Sequence, residues 1–304
     1  MDGHLCVKKS QVHLFKKVSF YHQPKEGEFV LYKKSNERLP REKPNKIRHP
    51  QLFILKEDKD LALKELTRAL NTDLAKQIAS GGLVQVKKAL CNIVHEALDE
   101  GQQAVMESLP ETIEILLDAY GQDHGAMKYL SQIATTSSVM AEHSVNVTAL
   151  TLQYCFFNSF SDADTARLAI CALLHDAGCS KLDKNLVEKN DRLTDEEFKT
   201  FTAHPKLGHD MIGKNTGFDI SVAMVALEHH ERIDGSGYPS GSRQISSDSQ
   251  LIGLINCYEP LTYRNKSFRK AKNPFDTLQI IKQEVLEGKF SKHLFKQFTS
   301  CLTK

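Results

Sequence analysis

Leu173–Lys181 reads LLHDAGCSK, and about fifty residues later Glu228–Gly241 reads EHHERIDGSGYPSG. Each stretch ends an apolar run with imidazole and carboxylate groups. Such groups are costly to bury unless something pairs with them. TARLAICALLHDAG (Thr165–Gly178) is almost wholly apolar from Leu168 to Leu174. That pattern predicts a helix buried on all sides, ending at His175 and Asp176, with Gly178 placed to stop it. Consecutive helical residues diverge by about 100°, so both side chains reach one centre only near a helix end, or serve two adjacent centres.

Four further histidines share this character. SSVMAEHSVNVTALTLQY (Ser137–Tyr154) predicts a long helix with His143 on the face of Val139, Met140, Val147 and Leu150. In LTDEEFKTFTAHPKLGHDMI (Leu193–Ile212), Thr194 and Glu197 form a capping-box pattern, and Pro205 predicts a break that sets His204 at a corner. DISVAMVALEHHE (Asp219–Glu231) puts Val222, Val225, Ala226 and His229 on one helical stripe, with His230 turned to the next face. His4, His13, His22, His49, His95, His124 and His293 lie in polar or unpatterned contexts, and His209 follows a glycine in a polar pair; none is assigned a role.

Five histidines and an aspartate thus end or line the apolar faces of four successive helices within about 90 residues. No cysteine is among them, which argues against structural zinc. Mixed imidazole and carboxylate donors suit iron, manganese or another mid-row ion. Two such ions bridged by a carboxylate can bind a phosphodiester, generate hydroxide and stabilise the leaving oxygen.

His143, His175-Asp176, His204-Pro205 and HHERIDGSGYP (His229–Pro239) resemble, in order and approximate spacing, the HD-GYP family of metal-dependent phosphohydrolases. The likeness covers roughly residues 125–290. It implies a helical bundle with two divalent ions, iron first and manganese as the alternative, acting on cyclic di-GMP or a related cyclic dinucleotide. By position, His143, His175 and Asp176 would serve one ion. Asp176 would bridge to a second ion held by His204 and His229, with His230 close by. Asp234, Gly235, Gly237, Tyr238 and Pro239 would shape the nucleotide pocket.

The sequence also departs from the family pattern. Cys179 stands where the family has a phosphate-contacting lysine, and Lys181 falls two positions later, the remaining candidate for that catalytic role. Val139 replaces a glutamate ligand, which points to two ions instead of three. Asn256 replaces an aspartate and offers a neutral carbonyl oxygen to the metal set. Lys266 and Arg269 are candidate phosphate contacts, with Lys266 or Arg264 at the family's arginine position. These changes support an alternative: a weak or inactive relative that senses a cyclic dinucleotide or docks a partner.

The 304 residues carry a net charge of +2, 40% hydrophobic and 26% charged residues. This is an ordinary globular composition with no charge signature for nucleic acid. The seven cysteines are odd in number and form no CxxC pair, as expected of reduced thiols in the cytoplasm. The N-terminus, MDGHLCVKKSQVHLFKK, has no uninterrupted apolar stretch of signal-peptide length, and the absence of 18 or more consecutive apolar residues predicts no membrane span.

The first sixty residues read differently. VHLFKKVSFY, EFVLYKK and HPQLFILKED predict strands, and helical spacing takes over from about Asp58. The segment from Lys33 to Pro50 is basic and proline-bearing, a solvated loop or a dock for an acidic partner. The expected fold class is α+β: a small N-terminal α/β domain for regulation or a protein partner (residues 1–110), then an all-α metal-bearing domain (residues 111–304).

Overall fold

The computed structural model describes residues 3–39, 50–99, 103–121, 123–133, 139–214 and 217–303. The core of the basic proline-bearing segment, residues 40–49, lies outside them. The chain divides into two compact units, Met1–Asp73 and Leu74–Lys304.

The first unit holds an antiparallel sheet of β1 (His4–Cys6), β2 (Phe20–Lys25), β3 (Glu28–Lys33) and β4 (Leu52–Leu55), in the order β1-β4-β2-β3. Period-two alternation in β4 buries Leu52 and Ile54 on one face, with Phe53 paired to Tyr21 of β2. The strand expected over VHLFKKVSFY forms only at its end. Val12–Leu14 is a 3-10 turn instead, with Val12 and Phe15 buried three residues apart, the spacing of that turn and not of a strand. Lys33 is turned inward. Its Nζ donates to the carbonyls of Phe15 and Lys16, both at 3.2 Å, so the buried charge is satisfied. Helix α1 (Lys59–Ala79) follows.

The second unit is helical: α2 (Leu83–Ala97), α3 (Gln103–Glu107), α4 (Leu109–Tyr120), α5 (His124–Gln132), α6 (Val139–Phe157), α7 (Asp162–Leu174), α8 (Lys184–Val187), α9 (Asp195–Phe201), α10 (His204–Ile212), α11 (Ile220–Glu228), α12 (Ser247–Tyr263), α13 (Pro274–Leu286) and α14 (Lys292–Thr303). Every residue of α6 from His143 to Cys155 is buried, which makes it the central rod of the bundle. Its two buried threonine hydroxyls are satisfied by bonding back along the helix, Thr148 to Ser144 O and Thr151 to Val147 O. α7 buries Leu168 to Leu174 without interruption, each large aliphatic side chain contributing about 1.5–3 kcal/mol.

Local signals fix where these helices start. Ser161 caps α7 by accepting from Asp164 N, and Ser246 caps α12 by accepting from Ser249 N. Thr194 and Glu197 complete the expected capping box on α9. α10 begins at His204, with Pro205 in its first turn, where its missing N–H costs nothing. After α7 the chain makes a 3-10 turn, Ala177–Lys181, against which α10 packs. Gly178 permits that approach: a Cβ there would collide with His204 O and Gly208 N.

Candidate metal centre

The ends of α7 and α11, the start of α10, the second turn of α6 and the middle of α12 meet at one point. His143, His175, His204 and His229 are all buried there, around the carboxylate of Asp176. Three of these rings are oriented by backbone. His175 Nδ1 donates to Ala172 O at 2.7 Å, His204 Nδ1 to Phe201 O at 2.8 Å, and His229 Nδ1 to Ala226 O at 3.0 Å. A carbonyl can only accept, so in each neutral ring the proton sits on Nδ1 and Nε2 carries the lone pair.

Those lone pairs converge. His204 Nε2 lies 3.3 Å from His229 Nε2, and the two stand 3.2 and 3.3 Å from Asp176 Oδ1. Asp176 Oδ1 is buried without a hydrogen-bond partner. Three acceptors facing one another in the core fit a cation and little else. On the other side, Asp176 Oδ2 stands 3.6 Å from the Nε2 atoms of both His143 and His175, which are 3.2 Å apart. The two carboxylate oxygens therefore face two imidazole groups. His204, His229 and His230 with Asp176 form one, and His143 and His175 with Asp176 the other; within each the donor atoms lie within 4.8 Å of one another.

The electrostatics keep most of these rings in the ligating form. Burial pushes His175 down to about 3 and lowers His229. His230 falls well below its ordinary value through burial and its histidine neighbours. Burial acts to raise the Asp176 carboxyl, but the imidazoles around it, His175 foremost, hold it well below the usual carboxylate range.

His143 differs. Burial acts to lower it, yet the Glu259 carboxylate at 2.6 Å from Nδ1 outweighs burial and raises it. Its Nε2 lies 2.9 Å from Asn256 Oδ1, which brings Asn256 into the cluster. Glu259 also accepts from Asn146 Nδ2 at 2.6 Å. Glu259 is the residue that sequence reading missed. The available signal was a glutamate one turn after Asn256 in the otherwise apolar LIGLINCYEPLT.

The GYP loop folds against this cluster. Asp234 Oδ1 accepts from Ser236 N at 2.9 Å, closing a turn in which Gly235 takes φ +82°. At Gly237 a Cβ would meet Glu231 Cα and Arg232 N at 2.5 Å, so the loop lies flat on the chain leaving α11. Tyr238 stacks on His230, ring centroids 4.5 Å apart at 20°. Pro239, on the exposed side, follows it through a cis peptide bond. Glu231, a second residue given no role from the sequence, is buried and anchors the far side of the loop. It accepts from Ser240 N at 2.7 Å, Ser240 Oγ at 2.6 Å and Ser242 N at 3.0 Å.

The remaining candidates stand elsewhere. Cys179 is buried as a thiol, raised well above its ordinary value by burial and by Asp176. Lys181 is exposed at the end of its 3-10 turn. Lys266 Nζ donates to Lys189 O at 2.6 Å, and Arg269 Nη2 to Pro260 O at 2.8 Å. Both basic side chains thus engage backbone carbonyls. Val139 contributes its carbonyl to Arg264 Nη2 at 3.0 Å.

A family model described as "HD domain" matches residues 128–294. The cyclic di-GMP phosphodiesterase PdeB of Borreliella burgdorferi is 29% identical over 53% of this chain and 42% of its own length. The 3'3'-cGAMP-specific phosphodiesterase 3 of Vibrio cholerae is 27% identical over 66% of this chain and 43% of its own length. This chain therefore spans about two fifths of those relatives. Among solved structures, Bd1817, a HDG"Y"P protein from Bdellovibrio bacteriovorus, has the same fold, with a TM-score of 0.60 at 18% identity over 99% of this chain and all of that one. With more than half its residues matched by the family model and HHERIDGSGYP lying against the histidine cluster, the chain belongs to the HD domain family, in its HD-GYP branch.

Proposed function

We propose that this chain is a metal-dependent phosphodiesterase that hydrolyses cyclic di-GMP to the linear dinucleotide or GMP. The observation that carries the reading is Asp176, whose two oxygens face two separate imidazole groups. Asp176 would bridge two divalent cations, iron first and manganese as the alternative. His143, His175 and the Asn256 carbonyl would hold one, and His204, His229 and His230 the other. Bound cations would supply Lewis acidity to the phosphodiester and a nucleophile from water at neutral pH.

The chain's own residues bind and orient. Backbone carbonyls fix the three rings with Nε2 inward, and Glu259 fixes His143. The loop from Asp234 to Pro239 borders the substrate, and Lys181, Lys266 and Arg269 remain the candidate phosphate contacts. Residues 1–110 would act as a regulatory or partner-binding segment of a cytoplasmic protein.

Two observations favour a second reading, a sensor of cyclic dinucleotides. Cys179 is a buried thiol where the family places a lysine, and Asn256 is neutral. Elemental analysis of protein purified without oxygen, followed by a cyclic di-GMP hydrolysis assay on the same sample, separates the readings. About two equivalents of metal with turnover supports the enzyme. Metal with tight ligand binding and no turnover selects the sensor, and protein that cannot be loaded with metal overturns both.

A further inference from the structure

Phe198 lies on α9 and is 50% exposed, although it is a large aromatic side chain. A single exposed aromatic is ordinary; the position of this one is not. Its ring meets Tyr238 edge-on, with centroids 5.9 Å apart at 79°. Tyr238 in turn stacks on His230, and His230 stands 5.0 Å from the His204 ring. A continuous aromatic path therefore runs from the imidazole cluster outward, and Phe198 is its solvent-facing end.

The ring is also held firmly. α9 starts with a full capping box, and Lys189 Nζ bonds both oxygens of Glu197 at 2.6 Å, so the helix next to the loop is pinned at its first turn. Beside that edge-on contact half of Phe198 remains exposed to solvent. An open, rigid aromatic face one ring beyond a phosphodiester site is the geometry on which nucleobases stack.

We propose that Phe198 is a specificity-determining residue: its exposed face stacks a purine base of the cyclic dinucleotide whose phosphate lies at Asp176. This rests on the cyclic-dinucleotide reading of the site. It adds a preference for purine over pyrimidine rings, since the larger π-face gains more from stacking.

The test uses the full metal-loaded chain and measures Kd for cyclic di-GMP and for cyclic di-UMP, together with the inhibition constant of inorganic phosphate. Phe198→Ala is expected to weaken cyclic di-GMP binding by about tenfold to a hundredfold, to narrow the gap to cyclic di-UMP, and to leave phosphate inhibition and metal content at their wild-type values. Phe198→Trp is expected to restore cyclic di-GMP binding. Unchanged binding by Phe198→Ala overturns the inference, as does an equal loss for phosphate, which marks a merely structural role. If the wild-type protein binds metal and phosphate but neither cyclic dinucleotide, the functional reading fails instead.

Discussion

Glu259 Oε2 stands 2.6 Å from His143 Nδ1, joining two residues 116 positions apart in the chain. Burial works to raise the Glu259 carboxyl, and His143 outweighs it and holds the group below its ordinary value. A buried carboxylate behind an imidazole aims the ring and increases its basicity, and loss of such a partner typically costs 10–100-fold in metal affinity. Glu259→Gln is therefore expected to weaken binding of one cation by roughly that factor and to leave the His204–His229 group intact. A manganese titration that shows two unchanged affinities would count against this role.

Asp176 belongs to both groups, whereas each histidine belongs to one. Asp176→Asn is expected to abolish both metal equivalents, while His143→Ala and His204→Ala each remove one. Elemental analysis of the three purified variants checks this. Retention of one equivalent by Asp176→Asn contradicts the bridging role.

Asn256 Oδ1 touches His143 Nε2 without bringing a charge. Asn256→Asp adds a negative donor at the same place and should tighten the cation beside His143 by about tenfold. The comparison is a calorimetric titration against wild type, and an unchanged affinity removes Asn256 from the metal set.

The buried histidines set a pH dependence in chelator-treated protein. His175 is pushed down to about 3, and His229 and His230 are also lowered, whereas each titrates near 6.5 when unfolded. Between about pH 6.5 and 4.5 the unfolded chain therefore binds more protons at these sites than the folded one, so their stability contribution is full above 6.5 and is lost as pH falls. His143, raised by Glu259, is protonated in both states over that window and contributes no slope. Each neutral buried ring contributes on the order of 1.4 kcal/mol per pH unit. Urea unfolding at pH 6.5 and 5.0, within the span where His143 adds little slope, measures this, and equal free energies would show that the rings do not stay neutral.

Gly178 lets α10 reach the turn after α7. Gly178→Ala puts a methyl group into the backbone of His204 and Gly208, and overpacking of this kind costs about 1–3 kcal/mol. The expected result is a lower urea midpoint with an unchanged m-value, accompanied by weaker metal binding because His204 moves. An unchanged midpoint would mean that the contact relaxes freely.

Much of the bundle and its centre was written in local sequence. The apolar run ending at His175, the stripe ending at His229 and the capping box before His204 are periodicities and end signals confined to a few turns of chain, so they could be read without a fold. They established that helices exist here and which residues end them. Contacts between distant segments could not be read in that way. That Asp176 turns one oxygen to each imidazole pair, that Glu259 lies behind His143, and that Glu231 gathers the loop at Ser240 and Ser242 depend on where whole helices come to rest. The turn at Val12–Leu14 illustrates the same limit in the first unit: β-forming residues there took a 3-10 turn, with Val12 and Phe15 both buried. Local spacing determined the elements, the kinds of donor and, through carbonyls one turn back, the aim of His175, His204 and His229; tertiary packing decided which donors meet, because the groups those rings face lie on helices tens of residues away.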